Sequence, residues 1–411
     1  MTPARGAGRK HDAGLDSATL LWLTGGLMML QPLSTDLYLP ALPGIGAHFE
    51  VGVATVQWTL SIFVATFGIW QLVAGPLSDR FGRYPVVIGG LAAYCGGSLL
   101  AMLSPTIEVL VGARALQAAG ACSCLVGARG IVRDLRSPAE GARLFAAASS
   151  IMSLAPLLGP IAGAALYLAF GWRSAFALLT ILSLLLAAAA LLKLKETNRR
   201  RNAEALRLRP MLATYRHIGA STEFRAYALA AAASYGGLFA FISGSSFVLI
   251  RVLGVSAVAY SLSFAVMVSG YLAGTIFCRR LIARRGLQGT IYAGAALQLA
   301  AGAAMASAAL LGIAAPAAIV APMFFYGLAH GMIQPAAQAG AMAPFPRHAG
   351  AATALAGFVM MGIAATVGFW IGASYDGTTG PLSYTIFAAA VASALVAFTL
   401  VRRHGDVSRH G

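Results

Sequence analysis

The sequence predicts an all-α integral membrane fold, with twelve transmembrane helices in two pseudo-symmetric six-helix bundles. Three observations predict it: the composition, the length of the apolar runs and the placement of the basic residues. Of 411 residues, 59% are hydrophobic and only 10% are charged; mean hydropathy is +0.77. A soluble chain of this length would need two or three domains and a charged surface to cover them. The apolar residues instead fall in runs of about 20, the length at which a helix crosses about 30 Å of hydrocarbon.

The spans read at about 18–43, 55–77, 85–103, 107–128, 143–168 and 173–194, then about 223–250, 257–279, 288–312, 316–338, 350–373 and 381–402. Between the two sets lies a polar linker, 195–222, containing Glu196, Arg199, Arg200, Arg201, Glu204, Arg207 and Arg209. The organisation is therefore a tail at 1–17, a bundle at 18–194, the linker, a second bundle at 223–402 and a tail at 403–411. The first apolar run is too long for a signal-peptide core and reads as an uncleaved first span.

The formal net charge of +16 sits in every second gap. Arg5, Arg9 and Lys10 are followed by Arg80 and Arg83, then by Arg129, Arg133, Arg136 and Arg143. After the linker come Arg279, Arg280, Arg284 and Arg285, then Arg347, then Arg402, Arg403 and Arg409. The alternate gaps hold Arg173 and Arg251 and little else. That asymmetry is the positive-inside pattern, and it places both termini in the cytoplasm. It accounts for the charge without nucleic acid. Cys95, Cys122, Cys124 and Cys278 lie in or beside apolar runs at spacings that fit neither a disulfide framework nor a metal site. No phosphate loop of the Gly-x-x-x-x-Gly-Lys-Ser/Thr kind occurs, so no built-in ATPase of that type is expected, and nothing calls for a cofactor.

An internal repeat supports the division into halves. The gap after the second span reads Gly75-Pro76-Leu77-Ser78-Asp79-Arg80-Phe81-Gly82-Arg83, and the gap after the eighth reads Arg279-Arg280-Leu281-Ile282-Ala283-Arg284-Arg285-Gly286. Both end in Arg-x-Gly, 204 residues apart. Parallel six-helix repeats about an axis along the membrane normal define one large transporter architecture.

The segment Gly75 to Arg83 resembles the Gly-x-x-x-Asp-Arg-x-Gly-Arg loop of the major facilitator superfamily, and spans and repeat extend the resemblance over essentially the whole chain. Gly82 permits a tight turn, Arg80 and Arg83 stay at the cytoplasmic face, and Asp79 can accept charge-assisted hydrogen bonds. The resemblance implies a role for Gly75, Asp79, Arg80, Gly82 and Arg83 at the cytoplasmic gate, with the acid near another helix's N-terminus. A topology anchor is the simpler reading of the same residues.

Three stretches narrow the branch. Ser34-Thr35-Asp36-Leu37-Tyr38-Leu39-Pro40-Ala41-Leu42-Pro43 resembles the first-span signature of the bicyclomycin-resistance and chloramphenicol-efflux branch. Arg114-Ala115-Leu116-Gln117-Ala118-Ala119-Gly120 resembles the fourth-span motif of proton-coupled members, and Ala128 to Asp134, which continues it, is another stretch that resembles the same bicyclomycin-resistance and chloramphenicol-efflux branch. Pro156-Leu157-Leu158-Gly159-Pro160-Ile161-Ala162-Gly163 resembles the fifth-span antiporter motif, with Ala164 where a second glycine is usual. In the second-half loop Arg279 replaces the glycine and Ala283 the acid. The branch implies proton-driven export of small, partly hydrophobic antibiotics through a multi-pass protein of the bacterial inner membrane, able to work as a monomer on small molecules and protons. The alternative within the superfamily is export of a native metabolite. A membrane enzyme would need clustered acids, histidines or a nucleophile with its base, which the chain lacks. A passive channel fits poorly with the repeat and a buried acid.

Asp36 carries most of this expectation. An acid inside a membrane helix costs about 2.5–3.5 kcal/mol on insertion scales, so it faces a cavity or a partner. A carboxyl at such a depth can take up and give back a proton as its surroundings alternate. Pro32, one turn earlier, removes a helix hydrogen bond beside it. On depth alone Arg114 is its natural partner, both lying on the order of 10 Å below the periplasmic boundary. A fixed structural ion pair is the competing role. Glu108 reads as a favourable acid at the start of span 4. Gly159 and Gly163 form a small-xxx-small pair that, with Pro156 and Pro160, suggests a bent span serving either packing or a barrier to proton leak. On span 10, Tyr326, His330, Gln334 and Gln338 recur every fourth residue and form one polar stripe, for substrate contact or for hydrogen bonds between helices. Tyr38, Gln117, Tyr235, Phe239 and Phe241 complete the candidate cavity wall, with core packing as the alternative for each.

Overall fold

With no water at membrane depth, each backbone group must be satisfied within its own helix, and the computed structural model is helical throughout its described residues, 16–199 and 201–405. Arg5, Arg9, Lys10, Arg200 and Arg409 lie outside them. Ten helical stretches are long and apolar enough to cross a membrane. One of them, Ala257–Leu310, is two spans broken at Gly286, whose φ of 66° is non-helical. With the first helix, Ser17–Asp36, the twelve expected spans are complete.

Spans 1 to 4 are Ser17–Asp36, Val53–Phe81, Arg83–Leu103 and Ile107–Leu135. Span 5 is two pieces, Pro138–Met152 and Leu154–Phe170, and span 6 is Arg173–Lys193. Span 7, Thr222–Ser246, continues through a π-helical turn, Phe247–Val252. Spans 8 and 9 are the two parts of Ala257–Leu310; spans 10 and 11 are Ala317–Met342 and Ala349–Ser374. Span 12 is Gly380–Val396 with a terminal π-helical turn, Ala397–Val401.

The differences from expectation have local causes. Span 1 ends as an α-helix at Asp36 and gives way to a 3-10 turn, Leu39–Ala41, and a short helix, Leu42–His48. Pro40 and Pro43 have no N–H to continue the ladder. Span 5 breaks at Ser153 because Pro156 cannot donate back to Met152. Span 4 runs past its expected edge to Leu135, so Arg129 and Arg133 belong to the helix and not to the gap. Arg173, an exception to the charge pattern, has a structural use. Its Nε and Nη2 donate to the carbonyls of Met102 and Ser104, both at 3.1 Å, satisfying the end of span 3.

The linker, expected as polar connection, holds a helix, Leu208–Ala220. Its apolar residues follow a helical period. Ile218 is buried, while Leu208 and Leu212 stay exposed, the disposition of a helix lying in a membrane interface. Tyr215 of this helix donates to the Leu72 carbonyl at 2.7 Å, tying the linker to span 2.

The repeat extends to hydrogen bonds. In the first half the Tyr94 hydroxyl of span 3 meets Ser34 Oγ of span 1 at 2.5 Å. In the second, Gln298 Nε2 of span 9 donates to Ser234 Oγ of span 7 at 2.7 Å. Breaks at Gly82 and Gly286, both at positive φ, separate spans 2 from 3 and 8 from 9. The halves meet along span 2 against span 11 and span 5 against span 8, and the turn after span 1 touches spans 7 and 8.

Candidate functional site

Asp36 sits on the seam between the halves. It is the last helical residue of span 1 and is 4% exposed. Its neighbour Thr35 holds it, with Thr35 Oγ1 at 2.9 Å from Asp36 Oδ1 and 2.8 Å from the Pro32 carbonyl. Across the seam, the 3-10 turn that follows Asp36 touches spans 7 and 8. Behind it stands span 5. A methyl group on Gly159 would lie 3.4 Å from the Asp36 Cβ, and one on Gly163 would overlap the Leu37 carbonyl oxygen. Pro160, between the two glycines, accepts a hydrogen bond from Ser261 of span 8 at 2.7 Å. The Pro156–Gly163 segment is thus wedged between span 1 and the second half, and its glycines are what let span 1 come so close.

Arg114 is not the partner of Asp36. No ion pair joins them among the described residues. Arg114 is fully buried inside the first half. Its Nε donates to the Thr59 carbonyl at 3.2 Å, and its Nη1 donates to Gln117 Oε1. Gln117 passes the chain to Ser98 at 2.7 Å. The guanidinium lies over Phe63, Tyr38 and Phe176, at 4.3, 4.6 and 5.9 Å from their centroids. The depth estimate placed both residues on one level. Their azimuths differ, because Asp36 looks outward to span 5 and the second half while Arg114 looks inward to the bundle core. Arg114 is a cation held by ring faces and carbonyl dipoles.

In the second half His330 stands between Tyr235 and Tyr271, with ring centroids 5.8 Å away on each side. Its Nδ1 shares a hydrogen of 2.8 Å span with Ser234. Ser234 also receives Gln298, whose Oε1 accepts from Ser393 at 2.8 Å, so spans 7, 9, 10 and 12 are laced together. Gly274 and Gly331 pack backbone to backbone, which brings Tyr271 onto His330. Tyr235 and Tyr271 are both partly exposed.

At the face holding both described chain ends, the Gly75–Arg83 loop is a clamp. Arg83 is 4% exposed and bonds Asp79 at 2.8 Å and Asp134 of span 4 at 2.9 Å. Its N–H donates to Glu196 Oε1 at 2.9 Å, and Asn202 N–H donates to the Asp79 carbonyl at 3.0 Å. Gly82 has φ of 109°, so the backbone requires glycine, and a methyl there would also displace the Glu196 carboxylate. The described ion-pair partners of Asp79 are Arg83 and, at 3.8 Å, Arg133. Both are first-half residues, and Arg83 is the first helical residue of span 3. Arg80 lies over Phe81, and Gly75 is in open space.

The model of the Major Facilitator Superfamily matches residues 24–369. The chain belongs to that superfamily. A chloramphenicol resistance protein of Pseudomonas aeruginosa is 31% identical over 82% of this chain and 80% of its own. A bicyclomycin resistance protein homolog of Haemophilus influenzae is 28% identical over 92% and 95%. Multidrug resistance protein D of Escherichia coli is 28% identical over 83% and 85%. Among solved structures, a D-xylose–proton symporter superposes with a TM-score of 0.72 over 95% of this chain and 98% of that one, at 15% identity; that likeness concerns the fold alone. The expected superfamily and its bicyclomycin-resistance and chloramphenicol-efflux branch are borne out by these relatives, and so is the multi-pass membrane fold.

Within this facilitator several candidate wall residues are core. Tyr38, Gln117, Phe239, Phe241 and Tyr326 are at most 1% exposed. Tyr326 donates to the Ser234 carbonyl at 3.3 Å, and Gln334 Nε2 reaches Met360 Sδ on span 11 at 3.1 Å. Gln338 is exposed at the far end of the helix. The stripe on span 10 therefore bonds neighbouring helices. Sequence reasoning missed Tyr260, Tyr271, Ser234 and Gln298. A glutamine in the apolar span 9 was a legible signal, since a polar side chain at that depth needs a partner.

Thr35 adds a chemical detail. A hydroxyl has one hydrogen, so it cannot donate to the Pro32 carbonyl and to Asp36 together. With Asp36 protonated, the acid donates to Thr35 and Thr35 to Pro32; with Asp36 ionised, the hydroxyl turns to the carboxylate. Thr35→Val is expected to shift the pH profile of transport, whereas Thr35→Ser keeps the wild-type profile. Identical profiles for Val and wild type would remove Thr35 from the proton step.

Proposed function

We propose that this facilitator is a proton-coupled antiporter of the bacterial inner membrane that exports small, partly hydrophobic antibiotics of the amphenicol or bicyclomycin kind. The observation that carries this reading is an acid 4% exposed, held by Thr35, on the surface where the two halves meet. The names of its relatives supply the substrate class, and the basic gaps put both termini in the cytoplasm.

An ionised carboxyl without a cation resists burial, and a neutral one accepts it. The described conformation, with Asp36 enclosed by spans 5, 7 and 8, is then the protonated state closed to the periplasm. Substrate arriving from the cytoplasm displaces the proton. The charged acid favours opening of the seam on the periplasmic side, where substrate leaves. A proton from the periplasm neutralises Asp36 again and the seam closes. Tyr235 and Tyr271 give the substrate aromatic faces, and His330 sets their spacing. The membrane potential contributes about 2.3 kcal/mol per charge per 100 mV, enough to drive accumulation without ATP. The carrier works as a monomer, each chain holding a complete site.

Everted vesicles energised to an acidic interior test the reading. Chloramphenicol or bicyclomycin added outside should discharge the pH gradient in vesicles carrying the protein and not in control vesicles. Discharge by a sugar, nucleoside or amino-acid derivative, with none by either antibiotic, would mark a metabolite exporter. No discharge by any solute would contradict proton coupling.

A further inference from the structure

The loops after spans 2 and 8 are repeat-related, yet their charges differ. In the first half Arg83 is neutralised by Asp79 and Asp134. In the second, Ala283 stands where the acid would be, and no acidic side chain pairs with Arg279, Arg280, Arg284 or Arg285 among the described residues. All four are exposed.

Each loop stands beside a groove. The first-half groove, about 310 Å³, is walled by Trp70, Leu77, Phe81 and Val86 with Ser123 at its floor and has no cation in its lining. The second-half groove is larger, about 500 Å³, and is formed by Phe277, Leu281, Leu328 and Met332 together with Arg280 and Arg284. Phe277 in its wall is 50% exposed, as a lipid-facing side chain is. Arg280 and Arg284 are one turn apart on the same side of span 8, about 6 Å along the axis. A phosphate fits between two guanidiniums at that spacing, since each offers a planar fork of donors.

We propose that this groove binds an anionic phospholipid of the cytoplasmic leaflet, its phosphate between Arg280 and Arg284 and an acyl chain along Phe277, Leu328 and Met332. Charge complementarity and position select this occupant. Two exposed cations without acids stand at the end of span 8, where the anionic headgroups of that leaflet lie, and the apolar trough runs from them toward the bilayer centre. A soluble phosphate would use the arginines and leave the trough empty. The inference rests on the cytoplasmic placement of this loop; its readout is lipid retention, so it stands or falls apart from drug transport.

The purified full-length protein is exchanged into nanodiscs containing phosphatidylglycerol and phosphatidylethanolamine, released, and analysed by native mass spectrometry. Wild type should retain phosphatidylglycerol in preference to phosphatidylethanolamine. A direct charge-assisted hydrogen bond from each guanidinium to the phosphate is worth roughly a ten-fold gain in binding, so Arg280→Gln with Arg284→Gln should weaken retention about 100-fold. Met332→Trp, which fills the trough and keeps the charge, should also lower it. Arg402→Gln with Arg403→Gln removes equal charge elsewhere and should leave it unchanged. Size-exclusion profiles matching wild type show that each variant is folded, and only such variants are compared. Unaltered retention in the Arg280/Arg284 variant overturns the proposal. So does equal loss in the Arg402/Arg403 variant, which would mean diffuse attraction, or displacement by inorganic phosphate, which would mean a free-anion site.

Discussion

Replacing Asp36 with Asn is expected to return an efflux-deficient host to its baseline drug susceptibility while the protein stays at normal membrane abundance. Asn fills the same space and keeps a polar contact with Thr35, so packing against Gly159 and Leu37 is preserved. What it loses is the charge that appears and disappears. The carrier should be fixed in the conformation in which a neutral side chain is enclosed by spans 5, 7 and 8. Because Arg114 bonds Thr59 and Gln117 and not Asp36, removing it cannot compensate. The double variant Asp36→Asn with Arg114→Gln should be no better than the weaker single variant. Partial rescue in the double would show that the two side chains oppose one another in some stage of the cycle.

Gly163→Ala is expected to reduce export nearly as far as Asp36→Asn, by a different route. Its new methyl would overlap the Leu37 carbonyl oxygen and lie 2.8 Å from the carbonyl carbon. Both are backbone atoms of the residue after Asp36, so no side-chain rotation relieves the clash. Overpacking of this kind costs about 1–3 kcal/mol, and the relief available is to push span 1 away from span 5, moving the acid off its seat. Gly159→Ala, where the nearest atom is the Asp36 Cβ at 3.4 Å, should retain most activity. Drug export measured at matched abundance separates the two. Equal activity for Gly163→Ala and wild type would mean that span 5 does not position Asp36.

Fold and site were not equally legible. The all-helical, twelve-span fold follows from hydropathy and charge, which act on one helix at a time; the ends of spans 1 and 4, the break in span 5 and the helix inside the linker did not follow from them. From the same signals Asp36 and Arg114 were expected at one depth. Their partners were not legible, because a partner depends on how each helix is rotated about its axis, and that rotation is set by close approaches such as Gly163 to Leu37 and Gly274 to Gly331. The stripe from Tyr326 to Gln334 shows the same limit. Periodicity established that these residues share a face, but only the packing of spans 7 and 11 against it shows that the face bonds to helices. The linker helix Leu208–Ala220 lies behind the arginine-rich stretch from Arg199 to Arg207, which marked the whole segment as polar, although Met211, Tyr215 and Ile218 mark one apolar side.

The claim on which the rest depends is that Asp36 surrenders a proton when substrate binds. It can be measured on purified protein in weakly buffered detergent solution by adding a transported antibiotic and following a pH-sensitive dye. Wild type should acidify the solution in proportion to the substrate bound, and Asp36→Asn should bind substrate with no acidification. Acidification of equal size in the Asn variant would contradict the account, since the proton would then come from another group.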